Sequence, residues 1–275
     1  MTQPKIGLLH PGEMGAAVGK ALRDRGHTVL WASTGRSAGT AARAEQAGLE
    51  DVGTVIELSR VSTVILSICP PHAALGVARS VGWFEGLYID ANAVSPSTAR
   101  EIATLVSRFV DGGIVGSPPR EAGSTRLYLS GSSAEEAAAL FEGTTLDARV
   151  VSTEPGAASA VKMAYAAWTK GTAGMLLAIR ALARAESVES ALLDEWRLSQ
   201  PELLDRSASA ARSAGRKGWR WVAEMEEIAA SFESADLPDG FHLAAAEVFR
   251  RVPLLDDASL DDVLGALATG SEARA

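Results

Sequence analysis

The sequence predicts an α/β fold: a doubly wound parallel sheet followed by an all-α domain, joined by a long helix. Three observations predict it. Short apolar strands alternate with helices through the first half of the 275 residues. A glycine-containing turn joins the first strand directly to a helix. Beyond residue 154 every periodic segment is helical and no strand-like alternation survives.

The elements follow in order. Lys5–Leu9 is an apolar strand. His10-Pro11-Gly12-Glu13-Met14-Gly15 is the turn, and a helix runs from Gly15 to Arg25. The strand Thr28–Ala32 follows at once. A helix that starts from a parallel strand aims its free N–H groups and positive dipole end at one spot, which suits a pyrophosphate. Gly12 permits a tight turn and Gly15 a close helix. In the pattern G-x-G-x-x-G the first position is His10. His10, Pro11, Gly12, Glu13 and Met14 are therefore expected against a dinucleotide in a Rossmann-type domain. Further strands are expected at Thr63–Ile68, Gly86–Asp90, Phe109–Val115, Arg126–Ser130 and Ala148–Ser152. Further helices are expected at Ala38–Gln46, Ala73–Val81, Thr98–Ser107 and Ala134–Leu140. Runs such as Val64-Ile65-Leu66 fit strands covered on both faces.

Glu154-Pro155-Gly156 marks the change of character. Pro155 suits the first helical position, with Ser152 or Thr153 as cap. From Ala157 to about Glu186 the pattern is one helix, roughly 45 Å long at 1.5 Å per residue. Helices Ala191–Leu198, Pro201–Ala214, Trp219–Phe232, Phe241–Arg250 and Leu260–Leu267 follow. Domains are expected at 1–154 and 155–275. Ala- and Leu-rich faces in the second point to burial against another copy of the chain, a homodimer. The small, polar tail Thr269–Ala275 is expected to be loose.

A formal charge of −8 argues against nucleic acid as a partner. Cys69 is the single cysteine, so no intrachain disulfide forms, and a reducing compartment is expected. Met1–Pro4 leave no room for a signal peptide before the first strand. Met175–Ile179, the longest greasy stretch, is too short to span a bilayer. Together these predict a cytoplasmic protein. The four histidines form no metal-ligand spacing, and no metal is expected.

The end of the second strand selects the nicotinamide cofactor. NAD binders place an acid there for the ribose 2′-hydroxyl; NADP binders use polar and basic groups. Ser33-Thr34-Gly35-Arg36-Ser37 has no acid. Arg36 can pair with a 2′-phosphate, and Ser33 and Thr34 can donate to it. NADP is expected and NAD disfavoured.

These residues carry a family resemblance. Ile6-Gly7 with Gly12-Glu13-Met14-Gly15 resembles the N-terminal signature of the β-hydroxyacid dehydrogenases, which include 3-hydroxyisobutyrate and 6-phosphogluconate dehydrogenases. Ser67-Ile68-Cys69-Pro70-Pro71 resembles the loop passing the nicotinamide ribose, which implies cofactor contacts at Cys69 and Pro70. Ile89 through Pro96 resembles the D-x-S-T-x-x-P segment. Val110 through Ser117 resembles the substrate loop D-A-P-V-S-G-G, implying substrate contacts at Gly112, Gly113 and Ile114. Gly156 through Lys162 resembles G-x-G-x-x-x-K on the catalytic helix. The resemblance covers about residues 5–185. It implies a Rossmann domain, a helical dimerising domain and redox chemistry at a carbon bearing oxygen.

The resemblance places Lys162 as general acid/base: a lysine beside a carbonyl stabilises the charge that develops on oxygen and supplies the proton. Tyr165 stands near where the family has Asn, and Asn92 can donate to a substrate hydroxyl or carboxylate. The sequence departs from the family at several points. Asn92 and Ala93 replace Ser-Thr, Val115 replaces a serine, and Glu224–Ile228 lacks the lysine of the family's Lys-Asp pair. The expected activity is NADP-dependent hydride transfer with a small, anionic hydroxyacid or its keto or aldehyde partner. Two alternatives remain open: an imine reductase, and a non-catalytic NADP-binding dimer.

Overall fold

The computed structural model describes residues 4–268. The expectations about Met1–Gln3 and the tail Thr269–Ala275 lie outside the described residues. The chain divides into two compact units, Met1–Met163 and Ala164–Ala275.

The first unit is an eight-stranded sheet. Its strands are β1 Lys5–Leu9, β2 Thr28–Trp31, β3 Glu50–Asp51, β4 Val64–Ser67, β5 Leu87–Asp90, β6 Arg108–Gly116, β7 Thr125–Ser130 and β8 Leu146–Ser152. Their order is β3-β2-β1-β4-β5-β6-β7-β8. Six helices belong wholly to it: α1 Glu13–Asp24, α2 Ala38–Gln46, α3 Val55–Val61, α4 Ala74–Ser80, α5 Pro96–Ala103 and α6 Ala134–Ala139. The helix α7, Ala157–Ala185, begins in this unit. Alternate residues of the central strands bury to opposite faces: Ile6, Leu8, Leu66 and Ile89 in one apolar layer, Leu9, Ile65 and Tyr88 in the other. This double burial is why those strands are apolar without alternation.

The sheet is parallel with one exception. β7 runs antiparallel to β6, with Asp111 opposite Ser130 and Gly116 opposite Thr125. Their connection is short and no helix is interposed, so β7 must fold back on β6. Two further elements are absent from the expected set. β3 has only two residues, both exposed, and carries no apolar signal. Helix α3 does carry a signal: Thr54 Oγ1 accepts from the Glu57 N–H at 3.1 Å, so Thr54-Val55-Ile56-Glu57 has the spacing of a capping box. Helix α5 starts at Pro96, earlier than Thr98, because Ser95 caps it by accepting from the Thr98 N–H and Pro96 fits the first turn.

The second unit is helical. It adds α8 Glu189–Ser199, α9 Glu202–Glu233, α10 Gly240–Arg251 and α11 Leu260–Ala268. The two helices expected at Pro201–Ala214 and Trp219–Phe232 are one, α9, of 32 residues. Gly215 and Gly218 read as breakers. Gly215 is instead a seat: a Cβ there would lie 2.2 Å from the Ala258 Cβ. Trp221 meets Phe249 of α10 edge-on, with ring centroids 5.1 Å apart. Among the described residues no helix is long and apolar enough to cross a membrane.

Candidate active site

The strand order reverses between β1 and β4, so the carboxyl ends of these neighbours flank the crevice where doubly wound sheets take ligands. At the end of β1 the chain turns sharply. The Gly12 N–H donates to the His10 carbonyl at 2.8 Å. A Cβ on Gly15 would lie 2.5 Å from that carbonyl oxygen, which explains the glycine. A Cβ on Gly12 would meet nothing within 4 Å. No side chain caps the N-terminus of α1. Open space over uncapped N–H groups suits an anionic ligand.

His10 takes the place of the first fingerprint glycine at φ 69°. Burial, and then the Arg36 charge, pull its imidazole down to about 4. It is therefore neutral at ordinary pH, and its buried Nδ1 has no partner. Arg36 is half-buried, and its buried Nε is also without a partner. Two unsatisfied polar atoms in one corner fit a group that neither the strands nor the helices supply. Ser33 and Thr34 are held from β3 and the loop after it. The Ser33 N–H donates to Asp51 at 3.2 Å and the Thr34 N–H to the Gly53 carbonyl at 2.8 Å. Asp51 therefore brings a carboxylate to a loop that has no acid of its own. Hydrogen bonds from Ser33, followed by that from Gly53, keep the carboxyl below its usual range. Ser37 caps α2, accepting from the Thr40 N–H at 3.2 Å. Arg43 of α2 reaches the Pro11 carbonyl at 3.5 Å and adds a cation that sequence reading missed.

At the ends of β4 and β5 sits a closed network. Asn92, 2% exposed, accepts from the Cys69 N–H at 2.5 Å. Its Nδ2 donates to Asp90 at 2.8 Å and to Ser67 at 3.1 Å. Both amide hydrogens are thus committed, and Asn92 fixes the Cys69-Pro70 loop without a spare donor for a substrate. Asp90 is fully buried, and burial pushes it up to about 7. Burial, then Asp90, pushes the Cys69 thiol up to about 12, so it is not a nucleophile at neutral pH.

Gly112, Gly113 and Ile114 are not in a loop. They lie inside β6, paired with Leu129, Tyr128 and Leu127 of β7. Their glycines serve close packing. A Cβ on Gly112 would lie 2.9 Å from the Asp90 carbonyl oxygen, and one on Gly113 would lie 2.6 Å from the Ala158 oxygen and 2.9 Å from the Lys162 Cβ. Lys162 is half-buried beside Gly113. Burial pushes its ammonium down to about 8. Tyr165, in the second unit, is 48% exposed. Among the described residues no group of three His, Cys, Asp or Glu side chains is placed to hold a metal.

Comparison with known proteins agrees with the architecture. A domain of unknown function, DUF1932, matches residues 183–252. An uncharacterized 28.5 kDa protein of Methanothermus fervidus is 28% identical over 193 residues, 69% of this chain and 75% of that protein. A conserved protein of unknown function, noted for its structural similarity to 3-hydroxyacid dehydrogenases, is 28% identical. It covers 95% of this chain and 98% of its own, with TM-score 0.68. Mycobacterium tuberculosis 3-hydroxyisobutyrate dehydrogenase, solved with L-serine, shares the fold at TM-score 0.72. It is 16% identical and covers 97% and 99% of the two chains. The imine reductase of Myxococcus stipitatus, solved with NADP+, shares it at TM-score 0.59. It is 22% identical over 95% and 99%. The resemblance to the hydroxyacid dehydrogenases thus extends to the whole fold.

Proposed function

We propose that the chain is an NADP-dependent oxidoreductase that moves a hydride between nicotinamide and a small hydroxyacid or its keto or aldehyde partner. Lys162 is its general acid/base. Residues 1–154 are its dinucleotide-binding domain, and residues 155–275 are its helical substrate and dimerisation domain, in a cytoplasmic homodimer. The observation that carries this reading is Lys162. It has no ion-pair or hydrogen-bond partner among the described residues, and desolvation brings it to about 8. A general acid/base works best with its pKa near the operating pH. The fold shared with 3-hydroxyisobutyrate dehydrogenase supports the reaction class.

When bound, the nicotinamide supplies a hydride to the carbonyl carbon or accepts one from the carbinol. In reduction, the Lys162 ammonium donates a proton to the substrate oxygen. In oxidation, the neutral amine takes the hydroxyl proton. Glu13 and Met14 offer backbone N–H groups to the pyrophosphate, Gly12 leaves room for its approach, and His10, Pro11, Cys69 and Pro70 line the dinucleotide. Arg36, Ser33 and Thr34 take the 2′-phosphate, with the Asp51 carboxylate occupied by Ser33. Gly113 forms the floor against which Lys162 stands, and Tyr165 orients substrate.

The test is Lys162→Ala in a panel of 3-hydroxyacids with NADP+. Turnover should fall by about 10³-fold while NADPH affinity holds; unchanged turnover ends the assignment. In a parallel titration NADPH should bind more tightly than NADH, and the reverse order would assign NAD. One observation favours a second reading. With Asn92 committed to its neighbours and Ala93 beside it, this segment offers no side-chain donor to a carboxylate. That suits an uncharged substrate such as a cyclic imine. Turnover of a cyclic imine with none of any hydroxyacid would select it.

A further inference from the structure

The start of α7 is held in an unusual way. Asp111, 1% exposed, receives four hydrogen bonds. The Ser159 hydroxyl donates at 2.6 Å and the Ser159 N–H at 2.9 Å. The Gly156 N–H and the Ser130 hydroxyl each donate at 3.0 Å. Ser130 in turn accepts from the Ala158 N–H at 3.0 Å. Three backbone N–H groups that a helix leaves unsatisfied at its start are thereby bound to two strand side chains. All four hydrogen-bond contacts to the carboxylate are donors, and the dipole of α7 adds to the attraction. The Asp90 carboxyl is its neighbour on β5, and the Asp111 charge helps to push that carboxyl up.

Lys162 lies one turn beyond Ser159 and Ala158, on the same side of the helix. Gly113 lies two residues beyond Asp111, on the same side of β6. Asp111 grips the first turn of α7, and Gly113 receives the next. A helix fixed at one turn and seated at the following one has no freedom to rotate about its axis. We propose that Asp111 is a positioning residue for Lys162, its carboxylate fixing the rotation at which α7 presents that amine over Gly113. The proposal rests on the reading of Lys162 as acid/base. It assigns to Asp111 no contact with substrate or cofactor.

The test needs no known substrate. Competitive labelling of the full chain with acetic anhydride, followed by mass spectrometry of the peptide carrying Lys162, gives the pH at which the amine becomes reactive. The wild type should titrate near 8. Asp111→Asn replaces an acceptor with a group that must point an N–H at other donors. It should free the first turn, admit water to Lys162 and raise that midpoint by about one unit or more towards the ordinary lysine value. Ser159→Ala removes the 2.6 Å contact alone, keeps the backbone grip, and should shift it the same way by less. NADPH affinity should stay within about twofold for both, since neither residue lines the α1 turn. If both variants unfold at a lower temperature yet leave the Lys162 midpoint in place, Asp111 is only a helix cap and the proposal falls. Should Asp111→Asn fail to fold, the Ser159→Ala curve decides alone. A wild-type Lys162 that labels like a surface lysine would overturn the acid/base reading itself, a result distinct from an unmoved variant.

Discussion

Two helices begin at the carboxyl edge of the same sheet, and they begin differently. No side chain caps α1; Gly12 faces open space and the nearby His10 and Arg36 each keep a polar atom without a partner. The start of α7 is filled from within by Asp111 and Ser130. An open helix start is a socket for an external anion. A filled one has no such capacity and becomes a mechanical fixture. The contrast separates an open helix start from the one whose first turns carry Lys162, the residue proposed as acid/base.

The largest effect expected from breaking this contrast is at the fixture. Asp111→Ala leaves three buried N–H and O–H donor sites of α7, and the Ser130 hydroxyl, without their acceptor. It should cost about 3–5 kcal/mol of stability in a denaturant titration. Lys162→Met should show the opposite sign. A lysine whose folded pKa lies below its unfolded one costs stability at pH below the folded value, and the cost disappears as pH rises through the unfolded value. Between about 8 and 10.5 the wild type should therefore gain stability with rising pH. The methionine variant should lack that gain and be more stable at neutral pH by up to roughly 3 kcal/mol. Gly113→Ala forces a methyl against the Ala158 carbonyl and should cost about 1–3 kcal/mol.

At the socket, effects on folding should be small and effects on binding specific. Arg36→Ala should weaken NADPH about tenfold in a fluorescence titration and leave NADH nearly unchanged, with stability altered by less than about 0.5 kcal/mol. Gly12→Ala should be the mildest for folding, since its new methyl meets no protein atom. It should still weaken NADPH by occupying the approach to the phosphate. Equal losses of stability in Gly12→Ala and Gly113→Ala would remove the distinction between the two helix starts.

The sequence was most legible where the physics is local. Apolar runs located seven of the eight strands, and the glycine turn located the crevice. It was less legible where a residue's partners are remote in the chain. The strand expected at Phe109–Val115 is there, against the substrate loop that the resemblance implied, but why Gly112 and Gly113 stand in it shows only in the approach of Asp90 and α7. Asn92 offers a donor on paper, but Asp90, Ser67 and Cys69 consume its capacity. Asp51 sits in a two-residue strand that no periodicity could reveal. Asp111 was visible only as a letter in a motif, because its four donors come from β7 and from the segment 156–159. Thr54 and Glu57, by contrast, had the spacing of a capping box, and α3 could have been read from them.

The reversal of β7 has a consequence for how this edge of the molecule could have evolved. Running against β6, the strand delivers its last residue, Ser130, beside Asp111. A strand entering from the usual direction would have brought Thr125 to that end, and the hydroxyl that catches Ala158 would lie at the far rim. Direction of travel, more than residue type, decides which side chain reaches the tether.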